Sequence, residues 1–107
     1  MEILFNSKRD RIDFGSESSL FRRFGKAHAL KIERIMTYFR NADTLTDVAK
    51  IRILRLHHLV GEYRHNFTVD VDGSWRLIFW GLDSSGEFTL VKHQAVAVQI
   101  RKVVDYH

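Results

Sequence analysis

The chain has 107 residues with 17 Lys and Arg against 13 Asp and Glu, a formal charge of +4, so its partners are expected to be anionic. It contains no Cys, which excludes disulfides, a thiolate nucleophile and zinc–thiolate sites. An apolar share of 45% is that of a folded globular chain, and this length predicts one domain over 1–107 able to bury about 65% of its unfolded surface.

Glu2 to Phe5 reads as a short strand. Ser7, Lys8, Arg9, Asp10 and Arg11 follow at once, leaving no apolar run for export or membrane crossing, so a cytoplasmic protein with no membrane contact is expected. Between Lys8 and Arg40 stand nine basic and four acidic residues. On a helix such a surplus is either a solvated face or a footprint for nucleic acid or the ribosome, with Arg22, Arg23 and Lys26 as candidates. Several N-cap candidates within 16–19 open a helix running to about Asn41. On a 3.6-residue wheel Leu20, Phe21, Phe24, Ala27, Ile32, Ile35, Met36, Tyr38 and Phe39 form one arc, with Arg22, Arg23, Lys26, Glu33 and Arg40 opposite. Gly25 lies inside this pattern and is a place where it can split. Thr44 and Asp47 have the spacing of a capping box for a brief helix over 45–50.

After Arg52 the period changes to two. Phe67, Val69 and Val71 alternate with Thr68, Asp70 and Asp72, and beyond Gly73 the residues Trp75, Leu77 and Phe79 alternate with Arg76 and Ile78, predicting a hairpin. A two-residue Asp72-Gly73 turn pairs Val69 with Arg76. A three-residue loop over 71–73 pairs Val69 with Trp75 and Phe67 with Leu77, and is preferred because it yields one dry face and one polar face holding Thr68, Asp70 and Arg76. A turn-rich loop over 81–86, a strand over 88–91 and a last strand through Val96, Val98 and Ile100 complete an α+β domain with helices on one face of an antiparallel sheet.

The last strand delivers Asp105, Tyr106 and His107, a carboxylate, a phenol and an imidazole in a row. Histidine is the side chain whose ordinary pKa lies nearest neutrality, which suits proton transfer. A second cluster comprises Arg55, His57, His58, Arg64 and His65. Three His in nine residues raise a metal site, but neighbours in an extended segment point to opposite sides and no His-Glu-x-x-His pattern is present, so no metal and no cofactor are expected. His28 and His93 read as ordinary histidines. Paired carboxylates, a Gly-rich phosphate loop and a Ser nucleophile elbow are absent. The remaining His, Arg and Tyr residues suit RNA cleavage, in which a 2′-hydroxyl loses a proton, the phosphorane is neutralised and the 5′-oxygen gains a proton.

Leu56-His57-His58-Leu59-Val60-Gly61, then the run from Phe67 through Trp75-Arg76-Leu77-Ile78-Phe79, then the closing Val103-Val104-Asp105-Tyr106-His107 resemble the HigB group of killer toxins in the RelE/ParE superfamily of toxin-antitoxin modules. The resemblance covers nearly the whole chain, including Gly25-Lys26 and Ala42-Asp43-Thr44-Leu45. It implies a RelE-like fold, N-terminal helices on a twisted antiparallel sheet. It also implies a ribosome-associated endoribonuclease that cuts translated messenger RNA and is silenced by a helix-turn-helix antitoxin. By position, His57, Arg76, Asp105, Tyr106 and His107 fall on the family's catalytic residues. His57 and His107 are then the acid/base pair, Arg76 stabilises the phosphorane, Tyr106 positions a base or hydroxyl, and Asp105 orients its neighbours. Val60 stands where the family pattern has a Lys, with Arg55 or Arg64 as candidate substitutes. The stretch 81–94 is longer than in the most compact members. The alternatives are a weakened or non-catalytic relative that binds its antitoxin or RNA, and a ParE-like gyrase inhibitor.

Overall fold

A computed structural model describes residues 1–105, beginning with the expected strand β1 (Glu2–Phe5). A helix that the periodicity did not indicate follows, α1 (Lys8–Asp13), with the Ser7 hydroxyl accepting from the Asp10 amide at 3.0 Å. None of its residues is buried, which is why no apolar stripe marks it. Its anchors are tertiary: Phe14 packs between Phe5 and Phe24 at ring separations of 5.5 and 5.6 Å.

The long helix expected to reach Asn41 does so in two pieces, α2 (Glu17–Phe24) and α3 (Lys26–Asn41). Between them Gly25 has φ 81 and ψ 165, a conformation essentially reserved for glycine. The break resets the helical phase, so Ala27, placed on the apolar arc by an unbroken wheel, is exposed while Ala29 is fully buried. The short helix α4 (Leu45–Ala49) carries the expected capping box. Backbone amides of Asp43 and Thr44 hold the Asp47 carboxyl below the usual carboxylate range.

Six strands form one sheet in the order β1, β6, β4, β3, β2, with β5 beside the end of β4. The strands are β2 (His57–His58), β3 (Phe67–Asp72), β4 (Trp75–Leu82), β5 (Phe88–Thr89) and β6 (Ala97–Asp105). The expectation of an antiparallel sheet needs correction: β1 and β6 run parallel, so the sheet is mixed. Parallel pairing needs a long crossover, and nearly the whole chain lies between these two strands. The strand expected over 88–91 shrinks to Phe88–Thr89.

The hairpin register also differs from both registers considered. Val69 pairs with Leu77 and Phe67 with Phe79, and a bulge between Asp70 and Asp72 brings Asp72 opposite Trp75 across a Gly73-Ser74 turn. The offset from the preferred register is two residues, so residues 67 to 70 and 75 to 79 keep their faces, while the bulge moves Asp72 to the helix side, opposite Trp75. The dry face and the polar face survive although the partners change. Asp70 and Arg76 are now directly opposite each other.

Helix α3 covers the inner face, where Phe67, Val69, Leu77, Phe79, Val98 and Ile100 join Ile32, Ile35, Met36 and Phe39 in one core. Lys31 on α3 pairs with Asp72 at 2.9 Å and holds that carboxyl below its ordinary range. Gly81 is the point where β4, β5 and the core meet. A Cβ there would lie 3.0 Å from the Thr89 carbonyl oxygen and 3.2 Å from the Phe67 ring. Phe79, fully buried with its ring 5.0 Å from that of Phe39, is the keystone of the core. Phe79→Ala should cost about 3 to 5 kcal/mol, read as a lowered midpoint in urea.

Candidate functional site

The outer face of the sheet, turned away from the helices, is built by alternation. Cross-strand pairs place His57 beside Thr68, Thr68 beside Ile78 and Ile78 beside Lys102. The next row holds Asp70, Arg76 and Val104. Strand spacings put the Cα atoms of His57 and Arg76 about 12 Å apart, within joint reach of their side chains for one bound group.

His57 is exposed, and its Nδ1 lies 2.7 Å from the Arg55 carbonyl oxygen. A carbonyl can only accept, so Nδ1 carries the proton in the neutral ring and Nε2 is left as the acceptor. The backbone is arranged for this contact. Arg55 is the only non-glycine with positive φ among the described residues, at φ 50 and ψ 50 after the 3₁₀ turn Arg52–Leu54. A left-handed Arg costs about 1 to 3 kcal/mol and marks a conformation that the surroundings enforce.

Asp70 binds two guanidinium groups on this face. Its Oδ1 lies 3.0 Å from Arg76 Nε and its Oδ2 3.5 Å from Arg55 Nη1. Arg76 and Asp70 are the well-covered pair, with side chains 16% and 19% exposed, whereas Arg55 is 68% exposed, so the Arg76 contact carries more of the attraction. Arg76 Nη1 also donates to the carbonyls of Gly73 at 2.5 Å and Trp75 at 3.1 Å. That leaves Nη2 without a partner among the described residues. The fully buried Thr68 hydroxyl likewise makes no hydrogen bond among them.

His57, Arg76 and Arg55 are thus brought together. Asp105 ends β6 opposite Trp75, one residue past the Val104 that faces Arg76, and its carboxylate accepts from the Ser74 hydroxyl. Tyr106 and His107 lie outside the described residues. Arg64 is exposed after the 3₁₀ turn Gly61–Tyr63 with no ion pair among the described residues, and Val60, in the same loop, is 77% exposed. His58 alternates away from His57 at the sheet edge, and His65 lies beside Trp80 and Phe88. No group of three His, Asp or Glu side chains suited to a metal occurs among the described residues.

The basic candidates on the helices lie elsewhere, since α2 and α3 pack on the other side of the sheet. Arg23 is engaged internally, 2.6 Å from Asp10 and 3.2 Å from Asp13, with its guanidinium carbon 5.0 Å from the Phe24 ring centre. Arg22 donates to the Ser19 hydroxyl at 3.2 Å, and Lys26 is exposed at the start of α3. None of the three joins the His57 face.

Sequence reasoning missed two cations of the outer face, Arg101 and Lys102. Simple alternation would send them to opposite sides. A bulge in β6 leaves Arg101 as an extra residue between those paired with Ile78 and Phe79, and both side chains reach the Tyr63 ring, at 5.1 and 4.9 Å. Bulges re-aim side chains in this way, and a single sequence gives no signal for one here.

No protein-family model matches this chain, and no curated protein matches it. No helix among the described residues is long and apolar enough to cross a membrane.

The geometry makes two outcomes measurable. Long-range ¹⁵N–¹H correlation spectra should report neutral His57 protonated at Nδ1; protonation at Nε2 would remove the Arg55 carbonyl contact. Arg76→Ala should cost about 1 to 3 kcal/mol in denaturant unfolding, because it strips a mostly covered carboxylate of its nearer partner.

Proposed function

We propose that this chain is a toxin of the HigB group in the RelE/ParE superfamily, a metal-independent endoribonuclease that cleaves translated messenger RNA on the ribosome and is silenced by a helix-turn-helix antitoxin. The observation that carries the reading is the His57 ring, held through Nδ1 by the Arg55 carbonyl and leaving Nε2 as an acceptor on the same side of the sheet as Arg76. The sequence resemblance supplies the rest of the assignment, including the roles of Asp105, Tyr106 and His107.

The chemistry follows from the groups. Of His57 and His107, one takes the proton of a 2′-hydroxyl as its oxygen attacks phosphorus. The other gives a proton to the departing 5′-oxygen, leaving a 2′,3′-cyclic phosphate and a 5′-hydroxyl. Charge building on the phosphorane oxygens meets Nη2 of Arg76, which has no partner among the described residues, while Asp70 and two carbonyls hold the rest of that guanidinium in place. A preorganised cation that does not reorient during reaction is worth more than a mobile one. Tyr106 positions a base or hydroxyl and Asp105 orients its neighbours in this scheme.

Val60 supports a second reading, a weakened relative that binds antitoxin or RNA with little turnover. Its exposed side chain offers no charge where the family pattern has a Lys, and Arg55, one of the two candidate substitutes, is already paired with Asp70.

Purified protein incubated with translating ribosomes, followed by mapping of new RNA ends, separates these readings. The wild type should produce new ends, and His57→Ala should lower the cleavage rate about 10²- to 10⁴-fold with its melting temperature nearly unchanged. A Val60→Lys variant that cuts faster supports the weakened relative. No cleavage by the wild type or by Val60→Lys removes the nuclease reading, and gyrase inhibition in its place would support the ParE-like alternative.

A further inference from the structure

Beyond Arg76 and Ile78, the outward side of β4 carries Trp80, where a file of planar groups begins. The Arg101 guanidinium carbon lies 5.2 Å from the Trp80 ring centre and 5.1 Å from that of Tyr63. Phe88 lies on Trp80 in a parallel stack, at an interplanar angle of 5° and a centroid separation of 5.1 Å. Phe88 is also 59% exposed, so the file stops at a ring with open surface. Next to it His65, Trp80, Phe88, Thr89 and Leu90 line a cleft of about 250 Å³. An apolar cavity of about 150 Å³ takes benzene, so this cleft has room for a nucleobase.

Charge decides which planar ligand fits. Arg101 lies over Trp80 and Tyr63 and Lys102 over Tyr63, and neither forms an ion pair with a carboxylate among the described residues. Protein interfaces deplete Lys at their cores. An open aromatic face beside cations that have no carboxylate partner among the described residues is instead the arrangement that binds single-stranded nucleic acid, a base on the ring and phosphates on the cations. Trp80 lies four residue steps along the strand from Arg76, about 13 Å along one face, a distance that a short unpaired stretch of chain can span.

We propose that Trp80 and Phe88, with Arg101 and Lys102, form a base-stacking subsite for an unpaired nucleotide of single-stranded RNA flanking the phosphate bound at Arg76. As a flanking subsite it rests on the nuclease reading above. Trp80 supplies the inner wall, and the file through Arg101 to Tyr63 keeps that indole from turning. Phe88 supplies the face on which the base lies, and the two cations take the adjoining phosphates.

The test uses a fluorescent, fully 2′-O-methylated oligonucleotide, which cannot be cut, with affinity read by anisotropy for the full chain. Phe88→Ala and Phe88→Leu should weaken binding about five- to hundredfold, the range of one lost stacking contact, and Phe88→Tyr should restore it. Circular dichroism melts should change little, since the ring is mostly exposed. Full affinity in Phe88→Leu would overturn stacking, because leucine keeps the apolar area and loses only the flat face. Wild type that cuts RNA while Phe88→Ala matches it in affinity and KM overturns the subsite and leaves the nuclease reading standing. Binding that depends on Phe88 without any cleavage by the wild type supports the subsite and removes the nuclease. A Phe88→Ala that loses a protein partner but keeps its RNA affinity assigns the patch to protein docking and overturns the proposal.

Discussion

Strand β4 is the constraint on which everything else depends, because it hydrogen-bonds to β3, β5 and β6 and both of its faces are committed. Its residues Leu77 and Phe79 are sealed under α3. The alternate residues Arg76, Ile78 and Trp80 must then face outward, since successive side chains in a strand point to opposite sides. Core and candidate site are therefore the two sides of one strand. A substitution that shifted β4 by one residue would bury Arg76 and expose Phe79 together.

The electrostatics of the outer face rest on one carboxylate. Asp70 lowers the local density of positive charge where Arg55 and Arg76 converge, and it fixes the nearer guanidinium. Without such a partner, the two converging guanidinium groups would repel. The arrangement still leaves the face cationic, with Arg101 and Lys102 held over aromatic rings. A cation over a ring face is stabilised by the ring quadrupole and stays available to an anion. Arg76 thus serves the hairpin turn and the site at once, so its removal acts on both.

The division of basic residues between the two sides of the sheet changes the meaning of the net charge. Much of the surplus between Lys8 and Arg40 lies on helices whose other face packs against the core, and Arg23 is tied to α1 by Asp10 and Asp13. That pair holds a helix without buried residues in place. A count of charges along the chain does not separate such a strut from a contact surface, because the pairing partner lies ten or more residues away.

Local chemistry was legible in the sequence wherever its period is short. β1, the Gly25 break, the Thr44 and Asp47 cap and the two faces of the hairpin all follow from side-chain alternation, helix periodicity or cap preferences spanning at most a few residues. The His57 cluster was visible as chemistry, though its approach to Arg76 and Asp70 was not. What the tertiary structure alone decided involves distance or backbone conformation. The parallel pairing of β1 with β6, the two-residue hairpin offset, the bulge that turns Arg101 toward Tyr63, and the left-handed Arg55 whose carbonyl orients His57 belong to this group. Each depends on the free energy of packing a whole layer, which tolerates an unfavourable local conformation such as that of Arg55 when the surrounding contacts outweigh it. Such a balance is a property of the assembled core and is not encoded in any short window of residues.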